Sequence, residues 1–167
     1  MSNQEKLVEL DVPQSDVGAP MPFVLANENS LVVCYYLSDV DPNWDGTTVR
    51  VVSADTDAPV AILRVEACTI HTFGSPNDEA MHGHRLAKAG LRAYSAYEVL
   101  NSEWISALEF ANRVHHHHRA SMFASLRHFI FTFHDTTLEF VSSGYEIEVV
   151  RGSIRDVSLS LAAELLT

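Results

Sequence analysis

Residues 127–134 read Arg-His-Phe-Ile-Phe-Thr-Phe-His, and this octet constrains the fold more than any other stretch. Phe129, Phe131 and Phe133 fall on one side of an extended chain. His128, Ile130, Thr132 and His134 fall on the other. A period of two is the repeat of a β-strand, not of a helix. Three aromatic rings in line need an apolar surface opposite them, so the strand belongs to a sheet with one face covered. Asp135-Thr136 is a tight turn into a second strand over 137–142. Ser143-Gly144 then turns into a third over 145–151, where Tyr145, Ile147 and Val149 are expected inward and Glu146 and Glu148 outward.

The same signals recur earlier. The β-branched and aromatic run at 31–37 reads as a buried strand, 38–46 as an Asp-rich turn and 48–53 as a returning strand interrupted by Arg50. A turn at 55–59 and a long strand over 60–72 complete an antiparallel meander. Residues 94–99 suit a short strand. Asn101 or Ser102 caps a helix running to about residue 113, with Trp104, Leu108 and Ala111 on one face. Residues 120–126 suit a helical turn or two. Ser153, with Asp156 three residues on, opens a final helix striped by Ile154, Val157, Leu161 and Leu165. The alternation of Val157, Leu159 and Leu161 also permits a strand there. Strands in runs, not alternating with helices, point to an α+β fold. The expectation is an antiparallel sheet of roughly seven strands, a meander plus C-terminal hairpins, packed with two or three helices.

A chain of 167 residues suits one domain. Residues 1–22, with Pro13, Pro20 and Pro22, read as an extended N-terminal arm, and 23–167 as a single α+β domain. Cys34 and Cys68 lie in apolar runs and suit buried thiols, not a disulfide framework.

The net charge of −11 is unevenly placed. Residues 1–60 hold ten acids and two bases, hence −8; the other 107 hold twelve acids and nine bases, hence −3. Such a face repels a phosphate backbone and argues against nucleic-acid binding. No apolar run approaches the roughly 18 residues of a membrane span, and the N-terminus lacks a signal-peptide core. A cytoplasmic protein is the expectation, with a basic protein or a small molecule as partner.

All nine histidines lie between His71 and His134. His82-Gly83-His84 can aim two imidazoles one way on an extended segment. With a third ligand such as His71, Glu79, His134 or Asp135, it could hold a zinc-type divalent metal. The quartet at 115–118 follows a helix and reads as a solvated loop with adventitious metal affinity. Asp41-Pro42-Asn43-Trp44-Asp45-Gly46 opens like a calcium loop. Its twelfth position is Val52 where a bidentate Glu is needed, so calcium is disfavoured.

Residues 73–90 hold Gly74, Pro76, Gly83 and Gly90 and keep no steady period. A loop this long in a compact domain is usually functional or disordered, and its varied composition points to an ordered one. Asn77 and Asp78 are candidate ligand-binding residues. If the tip formed by His134 and Asp135 approaches the loop, Glu79, His134 and Asp135 would supply a carboxylate–imidazole pair for acid–base catalysis. No Walker A, G-x-G-x-x-G, G-x-S-x-G, C-x-x-C or H-E-x-x-H sequence is present. The chain therefore reads first as an acidic binding module acting through its N-terminal face or through loop 73–90, for example an inhibitor or immunity-type protein. A small metal-dependent enzyme and a cofactor-free enzyme with a carboxylate–histidine pair are the alternatives.

Overall fold

In the computed structural model, residues 4–39, 47 and 51–166 are described. They form nine strands and two α-helices: β1 Lys6–Glu9, β2 Phe23–Ala26, β3 Ser30–Tyr36, β4 Ala58–Glu66, β5 Ile70–Gly74, β6 Ala96–Leu100, α1 Glu103–Asn112, β7 Arg127–Thr132, β8 Thr137–Ser142, β9 Glu146–Gly152 and α2 Ile154–Leu165. Short 3-10 turns occupy Met81–Gly83, Ala87–Ala89 and Ala120–Phe123.

The strands make two antiparallel sheets, ordered β1-β6-β7-β8-β5 and β2-β3-β4-β9. This corrects the expectation of one sheet of about seven strands with two or three helices, while the α+β character stands. The physical reason lies at Ala67. The expected strand over 60–72 breaks there into β4 and β5, because Ala67 adopts a left-handed φ of 48°. β4 stays with β3, whereas β5 crosses to pair with β8. Residues 51–53 are not in a strand, and 48–50 lie outside the described residues. The N-terminal segment contributes β1, which pairs with β6.

The two sheets face each other. Leu31, Val33 and Tyr35 of β3 and Ala61, Leu63 and Val65 of β4 pack against Phe129, Phe131, Phe133, Leu138 and Phe140, all buried. The aromatic alternation thus finds its apolar surface in a second sheet. Phe129 and Phe140 pack at 5.1 Å between ring centroids. Tyr145, just before β9, and Ile147 within it join this core, but Val149 is half exposed on this edge strand.

Each sheet also has a covered outer face. Helix α2 lays Ile154, Val157, Leu161 and Leu165 against Val32, Cys34, Val60 and Ile62. The Ser153 hydroxyl accepts from the Asp156 N–H, which fixes the end as a helix and settles the helix-or-strand ambiguity. On the other side, Met81, Leu86 and Leu91 of the central loop cover Tyr97, Val99 and Ile130. That cover brings chemistry-bearing loop residues down onto β7 and β8. No described helix is long and apolar enough to cross a membrane.

Candidate functional site

The polar positions of β7 and β8 point out of the sandwich, toward the central loop. Ile130 directly opposes Glu139, and His128 lies one diagonal step away on the same face. Glu139 is therefore a lone acid within the apolar strand Thr-Leu-Glu-Phe-Val-Ser. Its Oε2 accepts from His128 Nε2 at 2.9 Å and from Arg85 Nη2 at 2.7 Å, and its Oε1 meets His84 Nε2 at 3.2 Å. Burial alone raises this carboxyl. Hydrogen bonds from His128 and His84 and the charge of Arg85 overcome it and hold Glu139 well below the usual carboxylate range. His128, wholly buried, turns Nδ1 to the Ser102 hydroxyl at 2.9 Å and meets Trp104 edge-on at 5.1 Å between centroids. Arg85 also reaches Glu5, whose other oxygen accepts the Glu103 N–H at 3.0 Å.

A second cluster sits where the loop meets the β7–β8 tip. The Asp78 N–H donates to the His134 carbonyl at 2.9 Å, and the Thr137 hydroxyl donates to the Pro76 carbonyl at 3.0 Å. The Tyr94 hydroxyl donates to Asp78 Oδ2 and lies 2.8 Å from His134 Nδ1, itself 3.1 Å from the same carboxylate. Since Tyr94 gives its one proton to Asp78, His134 completes the triangle by donating from Nδ1. A neutral His134 then keeps the lone pair on Nε2. Burial first, and then the Asp78 carboxylate, push the Tyr94 hydroxyl up to about 12. The Tyr94 hydrogen bond is in turn the main reason Asp78 is held below its usual value. Tyr94 occupies the left-handed region at φ 54°. Such strain costs about 1–3 kcal/mol and is enriched at functional sites.

Tyr94 also lines a cavity of about 440 Å³ between the N-terminal segment and the β6–β7 end of the sheet. Leu10, Tyr35, Phe131 and Phe133 supply aromatic and aliphatic walls, and Arg92 stands at the rim. Arg92 pairs with Glu9 at 2.6 Å and donates to the Tyr97 hydroxyl at 3.0 Å.

The sequence-derived candidates divide as follows. The loop and the tip do meet, through Asp78 and not Glu79, which is exposed. Asp135 is exposed and lies 4.0 Å from His134 Nε2. Asn77 caps the following turn by accepting the Ala80 N–H. His82 is exposed, whereas His84 faces Glu139, so the two imidazoles do not share a partner. Among the described residues, no three of His, Cys, Asp and Glu are placed to hold one metal ion. The stretch 41–46 lies outside the described residues. His118 pairs with Glu109 at 2.9 Å, and its neighbours at 115–117 are exposed.

Ser102 is the cap of α1, accepting the Ile105 N–H at 3.2 Å; sequence reasoning missed Tyr94, Glu139 and the second contact of this serine, to His128. The available signal was the lone acid in β8, on the same parity as the histidine face of β7. Glu5, Glu9, Asp39, Asp55 and Asp57 pair with arginines at 85, 92, 151 and 155, so much of the acidic excess of the first 60 residues is neutralised within the fold. Comparison of the chain with protein-family models, curated proteins and solved structures finds no match.

Proposed function

We propose that the protein binds a small amphipathic molecule in the cavity beside Tyr94. The observation that carries this reading is the cavity itself: its volume falls within the roughly 300–1,000 Å³ of ligand sites, and its lining sets aromatic Phe131 and Phe133 beside polar Gln14, Ser95 and Thr132. Arg92 suits an anionic end, which would compete with Glu9 for the guanidinium. The internal pairing of the N-terminal acids favours a small ligand over a basic protein docked by charge. The test is a titration with 3-phenylpropionate and with the neutral 3-phenylpropanol, followed by amide chemical shifts. Saturable shifts at Leu10, Tyr94 and Phe131, stronger for the acid and lost in Ala93→Trp, support the reading. Scattered or absent shifts with both probes reject it.

A second reading, a cofactor-free acid–base enzyme, is favoured by one specific observation. The Asp78–Tyr94 pair holds His134 Nδ1, leaving Nε2 as a base oriented by a carboxylate. It predicts that His134→Gln abolishes turnover of a bound ligand while its affinity stays within a few-fold.

A further inference from the structure

The geometry points to Ser102 as a latent acyl-transfer nucleophile, plugged by the Glu5 carboxylate. Three observations, all independent of the cavity, meet around this residue. The first is a proton-consistent relay. The Ser102 hydroxyl and His128 Nδ1 are 2.9 Å apart, and His128 Nε2 and Glu139 Oε2 are 2.9 Å apart. Glu139 is held as a carboxylate, so Nε2 carries the ring proton and Nδ1 accepts from Ser102. A serine, an imidazole and a carboxylate in line are the components of an activated hydroxyl. Here Nδ1 faces the serine and Nε2 the acid, the reverse of the usual assignment, and a base works from either nitrogen.

The second observation is the setting. Ser102 lies on a sharp strand-to-helix turn between β6 and α1, after Asn101 in the left-handed region at φ 57°. The third is the donor pair for a developing oxyanion. The Glu103 N–H, at the first turn of the ten-residue helix α1, and the Arg85 guanidinium converge on one acceptor group. In this structure that acceptor is Glu5. The Glu5 carboxylate bridges the two donors, at 3.0 Å and 2.6 Å, and the Gln4 carbonyl accepts from Asn101 Nδ2. An internal carboxylate thus occupies the two donors that would serve a developing oxyanion. Ser102 is only 6% exposed, and its hydroxyl also accepts the Ile105 N–H at 3.2 Å as the cap of α1, so movement of the N-terminal segment held to its neighbours Asn101 and Glu103 is the condition for reaction.

The substrate class is a small carboxylic ester. Attack forms the Ser102 Oγ–carbon bond as the hydroxyl proton passes to His128 Nδ1, and the carbonyl electron pair moves to the oxygen held by Glu103 N–H and Arg85. Collapse breaks the carbon–oxygen bond to the alcohol, which leaves with that proton. Water then repeats the sequence on the acyl-serine, releasing the acid and restoring the hydroxyl. Ser102 and His128 touch the reacting atoms; Glu139 is a positioning residue.

The test uses the full chain with a fluorophosphonate–biotin probe and with p-nitrophenyl acetate. Glu5→Ala and Glu5→Gln are expected to label at least ten-fold faster than wild type, with the adduct located on Ser102 by peptide mass spectrometry. Ser102→Asn retains the helix-cap acceptor and is expected to fold but not to label. Glu139→Gln in the Glu5→Gln background is expected to slow labelling while the adduct stays on Ser102, because the ring loses the acceptor that fixes its Nε2 proton. If either Glu5 variant folds, by circular dichroism, and stays unlabelled, or if label falls on another residue, the proposal is overturned. Glu5→Gln changes one atom and keeps the fold available if Glu5→Ala does not.

Discussion

Replacing Glu139 by Gln removes one charge and changes no shape, which makes it the sharpest probe of the outer face of the five-stranded sheet. The carboxylate accepts from His128, Arg85 and His84. A hydrogen bond to a charged group contributes about 1.5–3 kcal/mol when buried. His128 is wholly buried and belongs at the middle of that range. Arg85 is 42% exposed on its side chain, so its pair is screened to about 0.5–1 kcal/mol. The Gln oxygen keeps one acceptor, while its amide sets a donor against the remaining N–H groups. The expected loss is about 3 kcal/mol, in line with removal of one partner from a buried pair. At a urea m-value of about 2 kcal/mol/M, the midpoint falls by about 1.5 M. The pH dependence has a definite sign. Glu139 is depressed below its usual 4.5 in the folded state, so its contribution is complete above that value and is withdrawn as pH falls. The gap between wild type and variant therefore persists from pH 7 to 5, begins to narrow below about pH 4.5, and closes only as pH falls through the much lower folded-state value. A gap under about 1 kcal/mol at pH 7, or one undiminished in acid, refutes the reasoning.

Three further outcomes are expected. Phe131→Ala opens a cavity between the sheets and lowers unfolding free energy by about 3–5 kcal/mol, measured by urea denaturation. Ser153→Ala removes the α2 cap and costs about 1 kcal/mol in the same assay. Asp78→Asn lowers the Tyr94 ionisation midpoint from about 12 toward the usual 10, read by phenolate absorbance in an alkaline titration.

The C-terminal three strands and both α-helices were legible because each carries its own local signal: aromatic alternation, short polar turns, and serines at helix starts. Alternation states which face of a strand is buried. It does not state which strands pair, and that is why two sheets read as one. The break at Ala67 has no Gly, Pro or Asn to announce it, since tertiary pairing imposes the left-handed turn on an alanine. β1, Lys-Leu-Val-Glu, is too short and mixed to signal a strand, and it forms because β6 offers an edge. At the site, the odd composition of the loop marked it as a contact segment, but whether it meets the hairpin tip depends on tertiary packing that local sequence does not carry. Nor does local sequence say which acid meets His134. Asp78 and Glu79 are adjacent, and only the backbone bond from Asp78 N to His134 O decides which side chain turns inward.

The account rests on hydrogen-bond networks that pin the central loop to the sheet, and the protonation of two imidazoles reports them directly. Long-range proton–nitrogen correlation spectra at neutral pH are expected to show His128 protonated at Nε2 and His134 at Nδ1, each as a single tautomer. Both rings averaging freely between tautomers would contradict it.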